Sequence, residues 1–279
     1  MSGTLYVVST PIGNLGDVSG RAAETLKLVE RVAAEDTRRT RALLTHLGID
    51  RKLLTKLDAN VPERIVEQLV EHLDAGENVA LVTDAGTPSV SDPGSALVRR
   101  AAERGITVVA IPGPSAVTAA VSVSGLVDGP FLFLGFLSRR GEKRKRAIRR
   151  IAESPEPVVL FEAPARIRAT LGELAQAMPA RRACVLRELT KVHEEAVRGT
   201  LVELAARDVT ERGEFTLVVE GKGDVDVETD VDIDRLIGER LDAGDSPRTV
   251  ADSVSALVEA SRREIYARVL ELVRARDPD

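Results

Sequence analysis

The chain has 279 residues, 43% of them hydrophobic and 30% charged, with a formal net charge of −5, which fits a globular protein long enough for two compact domains. No apolar run reaches the about 18 residues needed to span a bilayer, and the opening MSGTLYVVST lacks the basic and apolar regions of a signal peptide. A single cysteine, Cys184, excludes an internal disulfide, so a cytoplasmic protein with no membrane partner is expected.

The first half alternates. Apolar runs at LYVVST, RVAAEDT, NVALVTD, TVVAIPG and FLFLGFL are separated by segments such as PERIVEQLVEHLDAGE and SALVRRAAERGI, whose apolar positions recur at three and four. This predicts a mostly parallel sheet with helices on its faces, spanning residues 1–137. In such sheets ligands sit outside the carboxyl ends of the strands. Four loops rich in Gly, Pro, Ser, Thr and Asp leave strands at that edge: TPIGNLGD, AEDTR, DAGTPSVSDPG and IPGPSA. Their convergence points to a site for a polar small molecule. GNLG lacks the spacing of a dinucleotide fingerprint, and no phosphate-binding G-x-x-x-x-G-K-[ST] occurs. Ser115 precedes an Ala-rich helix and is a plausible N-cap, although backbone amides freed there would equally suit a ligand carboxylate.

A change of composition follows Leu137. The segment SRRGEKRKRAIRR carries eight Lys or Arg against one Glu and opens a second α/β domain, residues 138–223, with strands in PVVLFEAP, RRACVLREL and GEFTLVVEG and a helix in ARIRATLGELAQAM. Its first two turns, if helical, show no apolar stripe to bury. A solvated surface loop is one reading; because the segment sits between the two domains, Arg139, Arg140, Lys143, Arg144, Lys145 and Arg146 are read instead as a phosphate-gripping flap, with Arg262, Arg263 and Arg268 of the tail as the alternative. With no Trp, two Tyr and five Phe, a platform of several aromatics for stacking bases is not expected.

Residues 224–279 form an acidic linker and a helical tail. Asp230, Asp232 and Asp234 begin like a calcium loop, but Arg235 and Leu241 occupy the positions that need Gly and Glu. His46, His72, His193 and Cys184 are not at ligand spacing. No metal site is expected.

TPIGNLGD, AEDTRRT, DAGTPSVSDPG, IPGPSA, FEAPARI, RELTKVHEE and GEFTLVVEG, in this order, resemble the ribosomal RNA small subunit methyltransferase I family of the tetrapyrrole methylase superfamily. The match runs from about Leu5 to Gly221, and SRREIYARVLEL is similar to the family's closing helices. Where the family usually shows a histidine-rich segment this chain has TKLDANVPER, which keeps Asp58 and Asn60 without the histidines. The resemblance implies two α/β domains of the tetrapyrrole methylase type with S-adenosylmethionine in the cleft between them, plus a small helical C-terminal extension. It implies a homodimer that methylates the ribose 2′-oxygen of a cytidine of 16S ribosomal RNA near the decoding centre, on the small subunit or its assembly intermediate. By the same resemblance the cofactor would contact Pro11, Asp84, Gly86, Thr87, Val90, Asp92, Ser115 and Ala116 from the first domain. Arg187, Glu188, Thr216 and Leu217 would face it from the second. A tetrapyrrole or a translation factor is an alternative acceptor within the superfamily, and a non-catalytic assembly factor is an alternative of another class.

A ribose hydroxyl is a weak nucleophile, so removal of its proton as the bond forms would help. Glu35, Asp36, Glu162 and Glu188 are the candidate bases, with Lys191 a further possibility. Each has a structural alternative: Asp36 as the cap of the helix through RRTRALLTHLG, and Glu162 and Glu188 as partners of Arg166 and Arg187.

Overall fold

The structure is a computed structural model that describes residues 2–222, 233–255 and 261–276. The chain forms two units, Met1–Lys222 and Gly223–Asp279. The first begins with β1 (Thr4–Val8), α1 (Gly20–Leu28), β2 (Arg31–Ala34), α2 (Thr37–His46), β3 (Leu53–Lys56), α3 (Glu63–Asp74), β4 (Val79–Val82), α4 (Ser95–Glu103), β5 (Thr107–Ile111) and α5 (Ala116–Ser124). Its sheet is parallel in the order β3-β2-β4-β1-β5. Leu5, Leu69, Leu73 and Leu81 fill one face and Val8, Leu26, Val32 and Val82 the other, so the central strands are apolar on both sides.

The second half of this unit runs through β6 (Leu132–Phe136), α6 (Glu142–Glu153), β7 (Val158–Glu162), α7 (Ile167–Ala177), β8 (Arg182–Arg187), β9 (Glu195–Thr200), α8 (Leu201–Ala206) and β10 (Phe215–Val219). The sheet order is β6-β7-β10-β8-β9, with β6 and β7 parallel and the remaining pairs antiparallel. One correction concerns the domain boundary. The sequence pattern groups the FLFLGFL strand with residues 1–137, whereas β6 pairs with β7 in the second sheet, so the change of sheet falls between Ser124 and Leu132. A buried apolar strand reads the same whichever sheet it joins, and only the long-range pairing decides.

α5 is shared between the halves. Val117 and Ala120 pack with Ile12 on one side and with Val159, Cys184, Leu186 and Val218 of the second sheet on the other, in one apolar cluster. That shared core fixes the edge of the first sheet against the second.

α6 corrects a second expectation. Its buried stripe is Arg144, Ile148 and Ile151, spaced at four and three, so a cation occupies a position normally held by an aliphatic side chain. Arg144 donates through Nε to Glu173 (2.8 Å) and through Nη2 to Thr170 (2.9 Å) and Nη1 to the Ser138 carbonyl (3.3 Å). It is unavailable to a phosphate. Arg139, Arg140, Lys143, Lys145 and Arg146 are all exposed, Lys145 with Glu142 at 3.0 Å.

The second unit contains α9 (Ile233–Asp242), α10 (Pro247–Ser255) and α11 (Arg262–Arg276), closed around Ile237, Val250, Val254, Ile265 and Val269. Asp230 and Asp232 lie outside the described residues, and Asp234 pairs with Arg268 at 2.6 Å. Among the described residues no helix is long and apolar enough to cross a membrane.

Candidate active site

β1 and β4 are neighbours in the first sheet, and the loops that leave them are stitched together. Thr10 donates its N–H to the Gly86 carbonyl at 2.8 Å, Gly86 donates back to Thr10 at 3.0 Å, and the Thr10 hydroxyl donates to the Thr83 carbonyl at 3.0 Å. Ser9 Oγ lies 3.0 Å from Thr87 Oγ1, and Thr87 Oγ1 donates to the Pro114 carbonyl at 3.3 Å, which ties in the loop after β5. These bonds satisfy Ser9, Thr10 and Thr83, all buried. The turn requires Gly86, whose φ is +90°. Ser89 and Ser91 also adopt left-handed φ values, +69° and +65°, so tertiary contacts hold this loop against local preference.

The loop after β2 joins through carboxylates. Thr83 Oγ1 and the Asp84 N–H donate to Glu35 Oε2 at 2.7 and 3.2 Å. The Asp36 N–H donates to Asp84 Oδ1 at 3.0 Å, and Arg39 lies 3.4 Å from Asp84 Oδ2.

A cavity of about 370 Å³ opens between this edge and the second sheet. Glu35, Asp84, Gly86, Thr87, Val90 and Asp92 line it from the first sheet, Ser115 and Ala116 from the start of α5, and Phe136, Phe161, Glu162, Gly213 and Thr216 from the second. The volume suits a small molecule. A second cavity of about 540 Å³ beside α3 and α4 is lined by the ends of the loops after β3 and β4 and by Glu67, Arg99 and Arg100, and takes nothing from the second sheet.

Burial pushes the Asp92 carboxyl up to about 6; Thr83 pulls the other way, and the charges of Glu35 and Asp84 add to the rise. Asp84 is also raised, first by burial and then by Glu35. Carboxylates held together in a half-buried site destabilise one another's charge, so the cavity favours a cation.

Most of the expected cofactor residues converge there, and several do not. Asp84, Gly86, Thr87, Val90, Asp92, Ser115, Ala116 and Thr216 line the cavity. Pro11 does not; its neighbour Ile12 does. Leu217 alternates to the opposite face of β10 and is part of the core under α6 and α7. Arg187 lines a separate small cavity and pairs with Glu195 at 3.1 Å. Glu188 stands behind the Gly213–Glu214 wall, accepting from Lys191 Nζ (2.8 Å) and the Glu214 N–H (3.0 Å).

The candidate bases separate equally clearly. Glu35 lines the cavity but is engaged by Thr83 and Asp84. Asp36 caps α2, and its hydrogen bonds to Arg38 hold its carboxyl down at about 2. The hydrogen bond from Lys191 lowers Glu188, the reverse of what a base at neutral pH needs. In Lys191 burial is outweighed by Glu188 and Glu214, which raises the ammonium and keeps it protonated. Glu162 is buried and bound by Arg166 (2.6 Å), Thr170 (2.6 Å) and the Ala163 N–H (2.8 Å). Sequence reasoning passes over Asp92 as a base, because its raised carboxyl arises from neighbours distant in the chain. It also passes over Arg39, Phe136, Phe161 and Gly213, whose positions depend on how the two sheets meet.

The model of the Tetrapyrrole (Corrin/Porphyrin) Methylases matches residues 4–205. A ribosomal RNA small subunit methyltransferase I from Xylella fastidiosa is 43% identical over 272 residues, covering 95% of this chain and 98% of that one. The protein of the same description from Bacillus subtilis is 42% identical over 228 residues, covering 81% and 78%. Among solved structures, a diphthine synthase is 20% identical with a TM-score of 0.62, covering 78% of this chain and 90% of that one. A uroporphyrin-III C-methyl transferase from Thermus thermophilus, complexed with S-adenyl homocysteine, is 19% identical with a TM-score of 0.55, covering 80% and 98%. At that identity the solved structures establish the shared fold, and the long sequence matches narrow the assignment: the chain belongs to the ribosomal RNA small subunit methyltransferase I family of tetrapyrrole methylases.

Proposed function

We propose that the protein transfers a methyl group from S-adenosylmethionine to the ribose 2′-oxygen of a cytidine in 16S ribosomal RNA near the decoding centre. The substrate is the small subunit or its assembly intermediate, the compartment is the cytoplasm, and the active form is a homodimer. The observation that carries this reading is an acidic cleft adjoining a cationic surface. Glu35, Asp84 and Asp92 line the cavity, and β6, whose Phe136 also lines it, runs directly into exposed Arg139 and Arg140.

The cavity suits the donor. A sulfonium and an ammonium are cations, matching the three carboxylates. Gly86 presents backbone without a side chain, and a Cβ there would meet Ile12 Cγ2 at 3.4 Å. α5 begins at Ser115 with no side-chain cap, which leaves its first amides for a carboxylate. Asp84, Gly86, Thr87, Asp92, Ser115, Ala116 and Thr216 would hold the donor. When bound, S-adenosylmethionine supplies a methyl carbon that is already electrophilic.

The protein contributes alignment and proton removal. Asp92, whose carboxyl burial raises to about 6 in the free protein, is the group placed to accept the ribose hydroxyl proton on an Oδ atom. Burial first, and then the charges of Glu35 and Asp84, sustain that value, and Glu35 also ties the loops after β2 and β4 together. Phe136 and Phe161 close the apolar side of the cavity. Exposed Arg139, Arg140, Lys143 and Arg146 meet phosphates, with Lys145 at the margin and Arg144 confined to the interior.

The test is transfer of a labelled methyl group to small ribosomal subunits lacking the modification, followed by nuclease digestion and mass spectrometry. A label on cytidine that protects the adjoining phosphodiester from alkali is the expected result. A label on a base, or none, overturns the reading.

A further inference from the structure

Three of the five phenylalanines meet at the edge of the cavity. Phe161 packs edge-on against Phe133, with centroids 5.1 Å apart and planes at 69°, and tilts against Phe136 at 5.5 Å and 58°. Phe133 and Phe161 are part of the core between the sheets. Phe136 lines the cavity and remains 55% exposed.

A lone exposed phenylalanine at a strand end needs no explanation. Here the backbone departs from regular pairing to place it. Phe133 lies opposite Val159 and Phe136 opposite Phe161, so β6 advances three residues while β7 advances two, the register shifting between Phe133 and Gly135. In a regular strand residues three apart point to opposite faces. The extra residue turns Phe136 onto the face of Phe133 and Phe161, a re-aiming that bulges perform beside functional sites. The bulge depends on Gly135, whose φ is +62° and where a Cβ would lie 2.5 Å from Ser91 Oγ. The irregular strand is thus pressed against the loop that carries Asp84 and Asp92.

The cavity has a polar wall of loops and carboxylates and an aromatic wall with an open ring. Three residues beyond that ring the chain reaches exposed Arg139 and Arg140. An RNA nucleotide offers the matching pair of groups: a flat base and an adjoining phosphate. On the reading that RNA is the acceptor, we propose that Phe136 is the platform on which the base of the target nucleotide, drawn out of its stack, lies while its ribose faces the donor. Phe161 supports the ring from behind, and the bulge at Gly135 sets its angle.

The full chain tests this with Phe136→Ala, Phe136→Leu and Phe136→Trp, using unmodified small subunits as acceptor and S-adenosylhomocysteine as probe of the donor site. The alanine and leucine variants should lose roughly tenfold or more in kcat/KM for the subunits, within the range that one base stacked on an aromatic ring contributes. Affinity for S-adenosylhomocysteine by calorimetry should stay within about twofold. The tryptophan variant should keep activity. Because the chain has no other Trp, its emission should be quenched when subunits are added after S-adenosylhomocysteine. Full activity of the leucine variant overturns the proposal, since leucine covers apolar surface without stacking. A matching loss of S-adenosylhomocysteine affinity, or quenching completed by that probe alone, also overturns it and assigns the ring to the donor's adenine. If wild-type protein labels no RNA, the acceptor reading fails; if wild type and alanine variant label equally, only the platform fails.

Discussion

The Asp92 carboxylate should cost stability, and neutralising it should show how much. Its carboxyl is raised from 3.8 to about 6, first by burial and then by the charges of Glu35 and Asp84, against the pull of Thr83. A carboxyl whose folded value lies above its unfolded value takes up protons on folding. The stability it allows is therefore full below 3.8 and is lost as pH rises through about 6. A shift of roughly 2 pKa units corresponds to about 3 kcal/mol, and screening of this half-buried group by solvent reduces the expected effect to about 1–2 kcal/mol. Asp92→Asn keeps the shape and removes the charge. At pH 7.5 the variant should be more stable than wild type by that amount, roughly 2–8 °C in Tm for a unit of this size. At pH 4 the difference should shrink towards zero. Chemical unfolding of both proteins at the two pH values measures it, and the comparison cancels groups common to both. Methyl transfer should move oppositely, falling by about 10²–10⁴-fold with loss of the acid limb near 6. A stability difference independent of pH, or a variant less stable at pH 7.5, would refute the reasoning.

Other outcomes follow from the same geometry. Gly86→Val places a β-branched residue at φ +90°, with its Cβ at van der Waals distance from Ile12. Calorimetry should show loss of S-adenosylhomocysteine binding, and unfolding a cost of about 1–3 kcal/mol. Arg144→Met removes the donor to Glu173, Thr170 and the Ser138 carbonyl while Arg166 still pairs with Glu162, and should cost about 1–3 kcal/mol, whereas exposed Arg140→Ala should stay within about 0.5 kcal/mol; equal effects would return Arg144 to the surface. Arg139, Arg140 and Lys143 replaced together by Ala should weaken subunit binding and flatten its salt dependence by about 0.7 for each single-strand phosphate that is no longer neutralised. An unchanged slope in a filter-binding titration would remove these residues from the RNA-facing surface.

What the sequence determines by itself is the set of elements whose burial is complete. β4 and β10 are buried at every residue, and their unbroken apolar runs are visible without a structure. The Gly, Pro, Ser and Asp loops after β1, β2, β4 and β5 are visible for a related reason, since special backbone conformations demand special residues. β3 and β9 each lie at one edge of a sheet, and every residue in them is exposed or half-buried. LLTK and EAVRGT are short and mix apolar with polar residues without a sustained period, and pairing with a neighbour makes them strands. The tertiary structure also decides the sheet to which FLFLGFL belongs, the burial of Arg144 among Glu173, Thr170 and Glu162, and the raised carboxyl of Asp92. In each of these, the energy of a group depends on partners distant in the chain: β7 for β6, α7 for Arg144, Glu35 and Asp84 for Asp92. Local pattern records what a residue prefers; the field and packing it meets are set when the two sheets close on each other around α5.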